Sequence, residues 1–161
     1  MRRRKIMKSG RLLAMLIAVA MCVTCAFDLE FESNAEDVGE DISYSELMTE
    51  SALVGYAENI TKGVYLADGY SIINKISSTK IGVGGVTNAA VKCKVSVNAI
   101  VEQLNGGSWV RATSWSDTET SGYSATVSKS LTVTTGYYYR VRCVHYASTD
   151  RSSSFTSNLW M

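Results

Sequence analysis

Val91-Lys92-Cys93-Lys94-Val95-Ser96-Val97-Asn98-Ala99-Ile100-Val101-Glu102 is the stretch that decides the fold. Val91, Cys93, Val95, Val97, Ala99 and Val101 fall on one side of an extended chain. Lys92, Lys94, Ser96, Asn98 and Glu102 fall on the other, and only Ile100 breaks the alternation. A period of two describes a strand buried on one face. The run enters Asn105-Gly106-Gly107-Ser108 and leaves along Trp109 to Trp115, and a glycine pair between two such runs marks a hairpin.

The same period recurs downstream. Tyr123, Ala125, Val127, Leu131 and Val133 alternate with Ser124, Thr126, Ser128, Ser130 and Thr132. Gly136 turns the chain into Tyr137–Tyr146, where Tyr139, Val141 and Cys143 are predicted to face in and Arg140 and Arg142 out. A loop rich in Ser, Thr and Asp follows, and Phe155 to Trp160 reads as the last strand. Upstream, Gly63–Leu66, Ser71–Ile76 and Lys80–Val86 read as shorter strands, with Ala67-Asp68-Gly69 and Ser77-Ser78-Thr79 as their turns. About seven or eight short antiparallel strands predict an all-β fold, an antiparallel β-sandwich over residues 62–161. Gly82, Gly84 and Gly85 lead into a strand and not a helix, so they read as a bulge or a close strand approach and not as a phosphate loop.

The N-terminus has the features of a secretory signal peptide. Arg2, Arg3, Arg4, Lys5, Lys8 and Arg11 precede an apolar run from Leu12 to Val23, which is short for a bilayer span. Cleavage is expected after Ala26, with Ala35 as the alternative. Neither Cys22 nor Cys25 has the preceding residues that lipidation expects. The mature protein is therefore expected to be secreted, with no stable membrane anchor.

Without that segment the charge is uneven. Residues 27–61 contain no Lys or Arg, only ten acids from Asp28 to Glu58, whereas bases outnumber acids from Lys62 onward. An acidic arm, disordered or forming a short helix, is expected to precede a basic domain. It serves as a solvated leader, or it docks on the domain and competes with an anionic partner. Export and the acidic mature charge argue against nucleic acid as a partner.

Cys93 and Cys143 remain after cleavage, both on buried-face positions in a chain bound for an oxidising compartment. A disulfide between them is expected, closing a loop of roughly fifty residues and contributing about 4 kcal/mol in the chain-entropy model. A Cys nucleophile with His145, the only histidine, lacks an orienting third group. One His and two Cys also fall short of the four ligands zinc takes. No metal, no cofactor and no catalytic set is expected.

The outward registers offer a binding surface. Tyr138, Arg140, Arg142 and Tyr146 share one face of their strand, and Lys92 and Lys94 share the outward row of theirs. If the cysteines join within one sheet, Lys92, Lys94, Arg140 and Arg142 make one basic patch; if they join between sheets, no patch exists. An exposed strip of aromatic and basic side chains stacks on sugar rings or pairs with anionic polymers.

Tyr137 to Trp160 resembles the last two strands of fibronectin-type-III or immunoglobulin-like domains, with aromatic-x-Arg-Val ahead of a loop and a Ser-rich edge strand. A second resemblance spans about Lys62 to Met161. Gly63-Val-Tyr-Leu-Ala-Asp-Gly69, Ile81-Gly-Val-Gly-Gly85 with Thr87, Gly107-Ser-Trp109 with Trp115, Gly136-Tyr-Tyr-Tyr-Arg-Val141 with His145, and Ser157-Asn-Leu-Trp160 occur in that order. Together they resemble a family of small secreted proteins of Gram-positive bacteria filed as a domain of unknown function (six-one-four-seven). That resemblance implies export and a β domain and carries no functional residues. Two roles follow as expectations. One is a secreted, non-catalytic binding module for a cell-wall polymer, a glycan or a protein. The other is a bacteriocin-like antagonistic factor with the acidic arm as its pro-segment.

Overall fold

The structure, a computed structural model, describes residues 39–58 and 63–161. The expected signal peptide, both of its cleavage sites and the first part of the acidic arm lie outside the described residues. In chain order the elements are β1 Glu40–Asp41, α1 Tyr44–Leu47, β2 Leu53–Tyr56, β3 Leu66–Lys75, β4 Lys80–Asn105, β5 Ser108–Thr132, β6 Tyr138–Ala147, β7 Asp150–Phe155 and β8 Leu159–Trp160. Among the described residues no helix is long and apolar enough to cross a membrane.

The hairpin that opens the sequence reading is the spine of the molecule. Asn105 pairs with Ser108 across the two-residue loop Gly106-Gly107, whose φ values of 57° and 84° suit glycine. From that turn β4 and β5 run antiparallel for 26 and 25 residues. Four expected strands are thus two long ones. The sequence reading divided them near residues 87–90 and 116–122, and the first of these gaps is where the ladder slips. Between Asn88 and Cys93, five steps of β4 face only the two from Ser124 to Gly122. Unpaired extra residues bend a strand without ending it.

The slip divides the far edge of β4 between two partners. Its first part pairs with β3 (Ile81 with Lys75 to Ala89 with Leu66), and its second part pairs with β6 (Val95 with Ala147 to Gln103 with Tyr139). β2 extends the sheet beyond β3, while β7 and β8 pair with β6. All eight strands therefore belong to one antiparallel sheet. The all-β class and the strand number are as expected. The two stacked sheets of a sandwich are not what forms, because β4 and β5 each run through both halves of the same sheet.

The bend brings the inward faces of the two halves together. Ile73, Ile81 and Val83 from one half and Val95, Val97, Ala99, Val101, Val141 and Cys143 from the other share one buried cluster. Burying such side chains contributes about 1.5–3 kcal/mol each, and this cluster is where the alternating pattern finds its driving force. Gly85 sits where the halves approach: a Cβ there would overlap Cys143 Sγ and press on Val97. The glycine cluster is accordingly a close approach, one of the two readings the sequence left open.

Three sequence expectations change here. Ala67-Asp68-Gly69 is no turn; β3 runs through it, with a bulge between Leu66 and Asp68. The expected Ser/Thr/Asp loop is largely β7, whose Ser152 and Ser154 point inward and are buried. A single strand from Phe155 to Trp160 is likewise absent, because β7 ends at Phe155 and β8 spans only Leu159–Trp160.

The described part of the acidic arm is built into the sheet. β1 pairs with β5 (Glu40 with Ser130, Asp41 with Lys129), and β2 pairs with β3. Between them, α1 is one capped turn. Ser43 Oγ accepts from Glu46 N at 3.2 Å, and Glu46 Oε2 accepts from Ser43 N at 2.8 Å. So short a helix is not stable by itself. Leu47 anchors it, fully buried over Gly84, where a side chain would collide with it. Asn74 completes the anchor: its Nδ2 donates to Glu46 O (3.0 Å) and Leu47 O (2.9 Å), and its Oδ1 accepts from Gly82 N (3.0 Å). The turn's C-terminal carbonyls thus find their partners on β3.

Candidate binding face

The outward side of β4, β5, β6, β7 and β8 is assembled by cross-strand register. Glu102 on β4 is level with Arg140 on β6 and Arg111 on β5, and Leu104 is level with Trp109. On the far edge of β6, Arg142 is level with Phe155, Tyr146 with Arg151, and Tyr138 with Trp160. Directly opposite residues of an antiparallel pair project on the same side. One face therefore carries Trp109, Tyr138, Tyr146, Phe155 and Trp160 together with Arg111, Arg140, Arg142 and Arg151.

Its centre is ordered by Glu102, which is 8% exposed. Arg140 Nε donates to Glu102 Oε2 at 2.7 Å, and Arg142 Nε donates to Oε1 at 3.0 Å. The Arg140 guanidinium lies 4.2 Å from the Trp109 ring centre and 5.2 Å from that of Phe155. Tyr138 and Trp160 pack with their rings tilted by 60° and their centroids 4.8 Å apart, and Arg151 lies 5.3 Å over Tyr146. Such cation–π and ring pairs, at about 0.5–1.5 kcal/mol each, hold long side chains in place. Trp160, Phe155, Tyr138 and Tyr146 still keep a large exposed surface.

Of the expected site residues, Tyr138, Arg140, Arg142 and Tyr146 do share this face, the tyrosines exposed and the arginines half-buried against Glu102. Lys94 extends the outward row of β4, but at six positions from Ile100, the level of Arg142, it stands roughly 20 Å away. Lys92 is exposed in the stretch where the ladder slips. The lysines and arginines therefore do not form one compact basic patch. Phe155, Arg111, Arg151 and Glu102 were not singled out from the sequence. Alternation in β7 held the signal for two of them, since buried Ser152 and Ser154 put Arg151 and Phe155 outward.

The face is biased in charge. Arg111, Arg140, Arg142 and Arg151 stand against Glu102 at the centre and Glu58 at the margin, where Glu58 bridges to Ser153. A groove of about 260 Å³ lined by Tyr56, Glu58, Ser153 and Phe155 borders it. The first acids of the described arm pair elsewhere: Glu40 meets Lys80 at 2.6 Å, and Asp41 meets Lys129 at 3.1 Å. A cleft of about 620 Å³ between α1 and the β3–β4 turn is lined by Glu40, Asp41 and Lys80 together with Asn74 and Lys75.

The cysteine pairing is corrected. Cys93 and Cys143 are both free thiols. Cys143 is level with Ala99, six positions along β4 from Cys93, so the two stand roughly 20 Å apart where a disulfide needs Cα atoms within about 7 Å. They share a buried-face register and one sheet but occupy different levels of it. Cys143 Sγ donates instead to Gly84 O at 3.6 Å, and burial pushes its thiol pKa up.

His145 does not pair with Cys143. Thr87 Oγ1 gives its one hydrogen to Ser96 O (3.0 Å) and so accepts from His145 Nδ1 at 2.8 Å. Nε2 then accepts from Ser154 Oγ at 2.8 Å. Burial drives this imidazole's pKa down to about 4, opposed in part by the charge of Asp68. The group is a neutral, satisfied interior histidine that joins β6 to the first half of β4 and to β7. Among the described residues no three His, Cys, Asp or Glu side chains converge as a metal site would need.

Comparison with known proteins gives one match, to the model of a family of unknown function over residues 34–159, most of the chain. That match reaches well upstream of Lys62 and takes in β1, α1 and β2. No curated protein matches, and no solved structure does, so the likeness to fibronectin-type-III and immunoglobulin-like domains has no structural neighbour behind it.

Proposed function

Since the chain belongs to DUF6147, a family of unknown function, we propose from the site alone that it is an exported, non-catalytic binding module for an anionic cell-surface polysaccharide. One observation carries the reading: exposed aromatic rings and an excess of arginine lie together on one rigid, twisted face. Rings offer stacking area to sugars, and guanidinium groups offer charge and donors to acidic substituents. The aromatic–arginine contacts hold these groups ready, so little side-chain freedom is lost on binding. The basic run at the N-terminus supports export. Residues 39–58 supply sheet strands and the helical turn over Gly84, which weighs against an arm that is cut away as a pro-segment.

Co-sedimentation of the secreted protein with purified cell-wall sacculi tests this, with and without their anionic polymers, at low and high salt. Binding that needs the anionic polymer and weakens with salt is expected. Absence of binding to both preparations defeats the proposal.

A further inference from the structure

Glu102 occupies only one edge of each guanidinium. Arg140 and Arg142 both reach it through Nε, and one carboxylate oxygen serves each. A guanidinium has five N–H donors in a rigid plane. With Nε engaged, the terminal Nη groups of both side chains remain as donors, and no hydrogen bond from them to a described residue accompanies the Glu102 contacts. The two side chains are two residues apart on β6 and converge on the same carboxylate, so their charged heads lie side by side. Their combined charge exceeds that of Glu102 by one. Trp109 and Phe155 flank Arg140, and neither ring can neutralise that excess.

A carboxylate that is 8% exposed and held between two arginines could have a purely structural role. Two facts argue for more. Structural pairing of Glu102 needs one arginine, and the second leaves a net cation in the middle of an aromatic surface. The adjacent positions of the face add Arg111 and Arg151, both exposed, in place of further acids. The charge is thus concentrated where ligand-sized rings are exposed, and it is fixed in orientation by hydrogen bonds through Nε.

We infer that Arg140 and Arg142 form an oxyanion fork, aligned by Glu102, which takes a carboxylate or phosphate group borne on the polysaccharide while neighbouring sugar rings stack on Phe155 and Trp160. The inference rests on the polymer-binding role proposed above and names what the face selects: acidic over neutral glycans, by geometry as well as by charge. Glu102 is a positioning residue, and the two arginines are the contacts. End-on pairing through two Nη donors suits the two oxygens of either anion. Lysine, a point charge on a flexible stem, cannot reproduce it.

The test measures equilibrium binding of the secreted protein to three soluble probes: a neutral glucan, a polygalacturonate and a phosphomannan. Wild type is expected to bind the two acidic polymers and to bind the glucan at least tenfold more weakly. The ratio between the acidic probes tells which anion the fork prefers. Arg142→Lys keeps the charge and should weaken acidic-polymer binding about tenfold, the worth of one well-made charged hydrogen bond. Glu102→Gln raises the net positive charge of the face and should nevertheless weaken binding, because the fork loses its alignment. Unchanged affinity in Arg142→Lys, or tighter binding in a folded Glu102→Gln, would show a diffuse positive field and overturn the fork. Equal binding of neutral and acidic polymers would also overturn it while leaving a glycan-binding module standing. No binding to any probe would remove both readings.

Discussion

Ser154 donates to His145 Nε2 across 2.8 Å inside the molecule, and Thr87 accepts at Nδ1, so both ring nitrogens of the neutral imidazole are satisfied. Protonation turns the Ser154 hydroxyl from donor to acceptor and buries a charge. The folded-state pKa, about 4, lies below the ordinary value of 6.5. The neutral form is thus the stabilised one. Stability from this source is complete above pH 6.5, declines as the pH falls below it because the unfolded chain takes up the proton first, and levels off near pH 4. The expected loss between pH 7.5 and 4.5 is roughly 2–3 kcal/mol. Urea unfolding at a series of pH values measures it. His145→Gln should lower stability at neutral pH and remove most of the decline, and an unchanged decline in that variant would defeat the assignment.

Asn74 is the largest single investment in the N-terminal turn. Asn74→Ala strands Glu46 O and Gly82 N and leaves Leu47 O only its bond from Thr49 N. At about 1–3 kcal/mol for a buried polar group left unpaired, the variant should lose about 3 kcal/mol or release the turn from the sheet. Hydrogen exchange separates the two: faster exchange confined to residues 44–48 means release, and faster exchange throughout means global destabilisation.

The two thiols should differ sharply in reactivity. Burial holds Cys143 in its protonated form, and thiolate is the reactive species. Brief alkylation of native protein followed by peptide mapping should label Cys93 well ahead of Cys143, with both labelled in denaturant. A disulfide-linked peptide joining the two in secreted, unreduced material would contradict the free-thiol arrangement.

On the binding face, Trp160→Ala and Tyr138→Ala remove exposed rings that pack mainly on each other. Each should change stability by less than about 1 kcal/mol. If sugar rings stack there, each should weaken polymer binding several-fold in the co-sedimentation assay. Tyr123→Ala, an exposed ring outside the aromatic–arginine face, serves as the control and should leave binding unchanged.

What the sequence revealed and what it withheld follow the range of the interactions. Asn105-Gly106-Gly107-Ser108 and the alternation from Val95 to Val101 are local signals, and the structure follows them. Tyr139, Val141 and Cys143 point inward and Arg140 and Arg142 outward, as period-two reading requires. The continuity of β4 was hidden because Ala89-Ala90-Val91-Lys92 slips out of its ladder with β5, so the pattern breaks although the strand does not. β7 was hidden because its inward residues are serines, which read as loop until His145 and Glu58 O appear as their partners. The helical turn depends on Asn74, 27 residues from Leu47, and no local pattern announces such a contact. The arginines of the face were legible singly; their joint hold on Glu102 required the register of β4 against β6.

The 26-residue span of β4 has a consequence for how the protein comes apart. One half of the sheet hangs on its first stretch and the other half on its second, with β5 alongside both. No seam exists along which one half could melt while the other kept its neighbours. Opening at β3 would strip the interior side chains from β6 and β7 as well. Denaturant should therefore produce one sigmoidal transition, the same by tryptophan fluorescence and by far-ultraviolet dichroism, with a steep dependence on urea concentration for a chain of this size. In the exported module proposed above, a single cooperative transition without partly open states would give extracellular proteases few sites to cut.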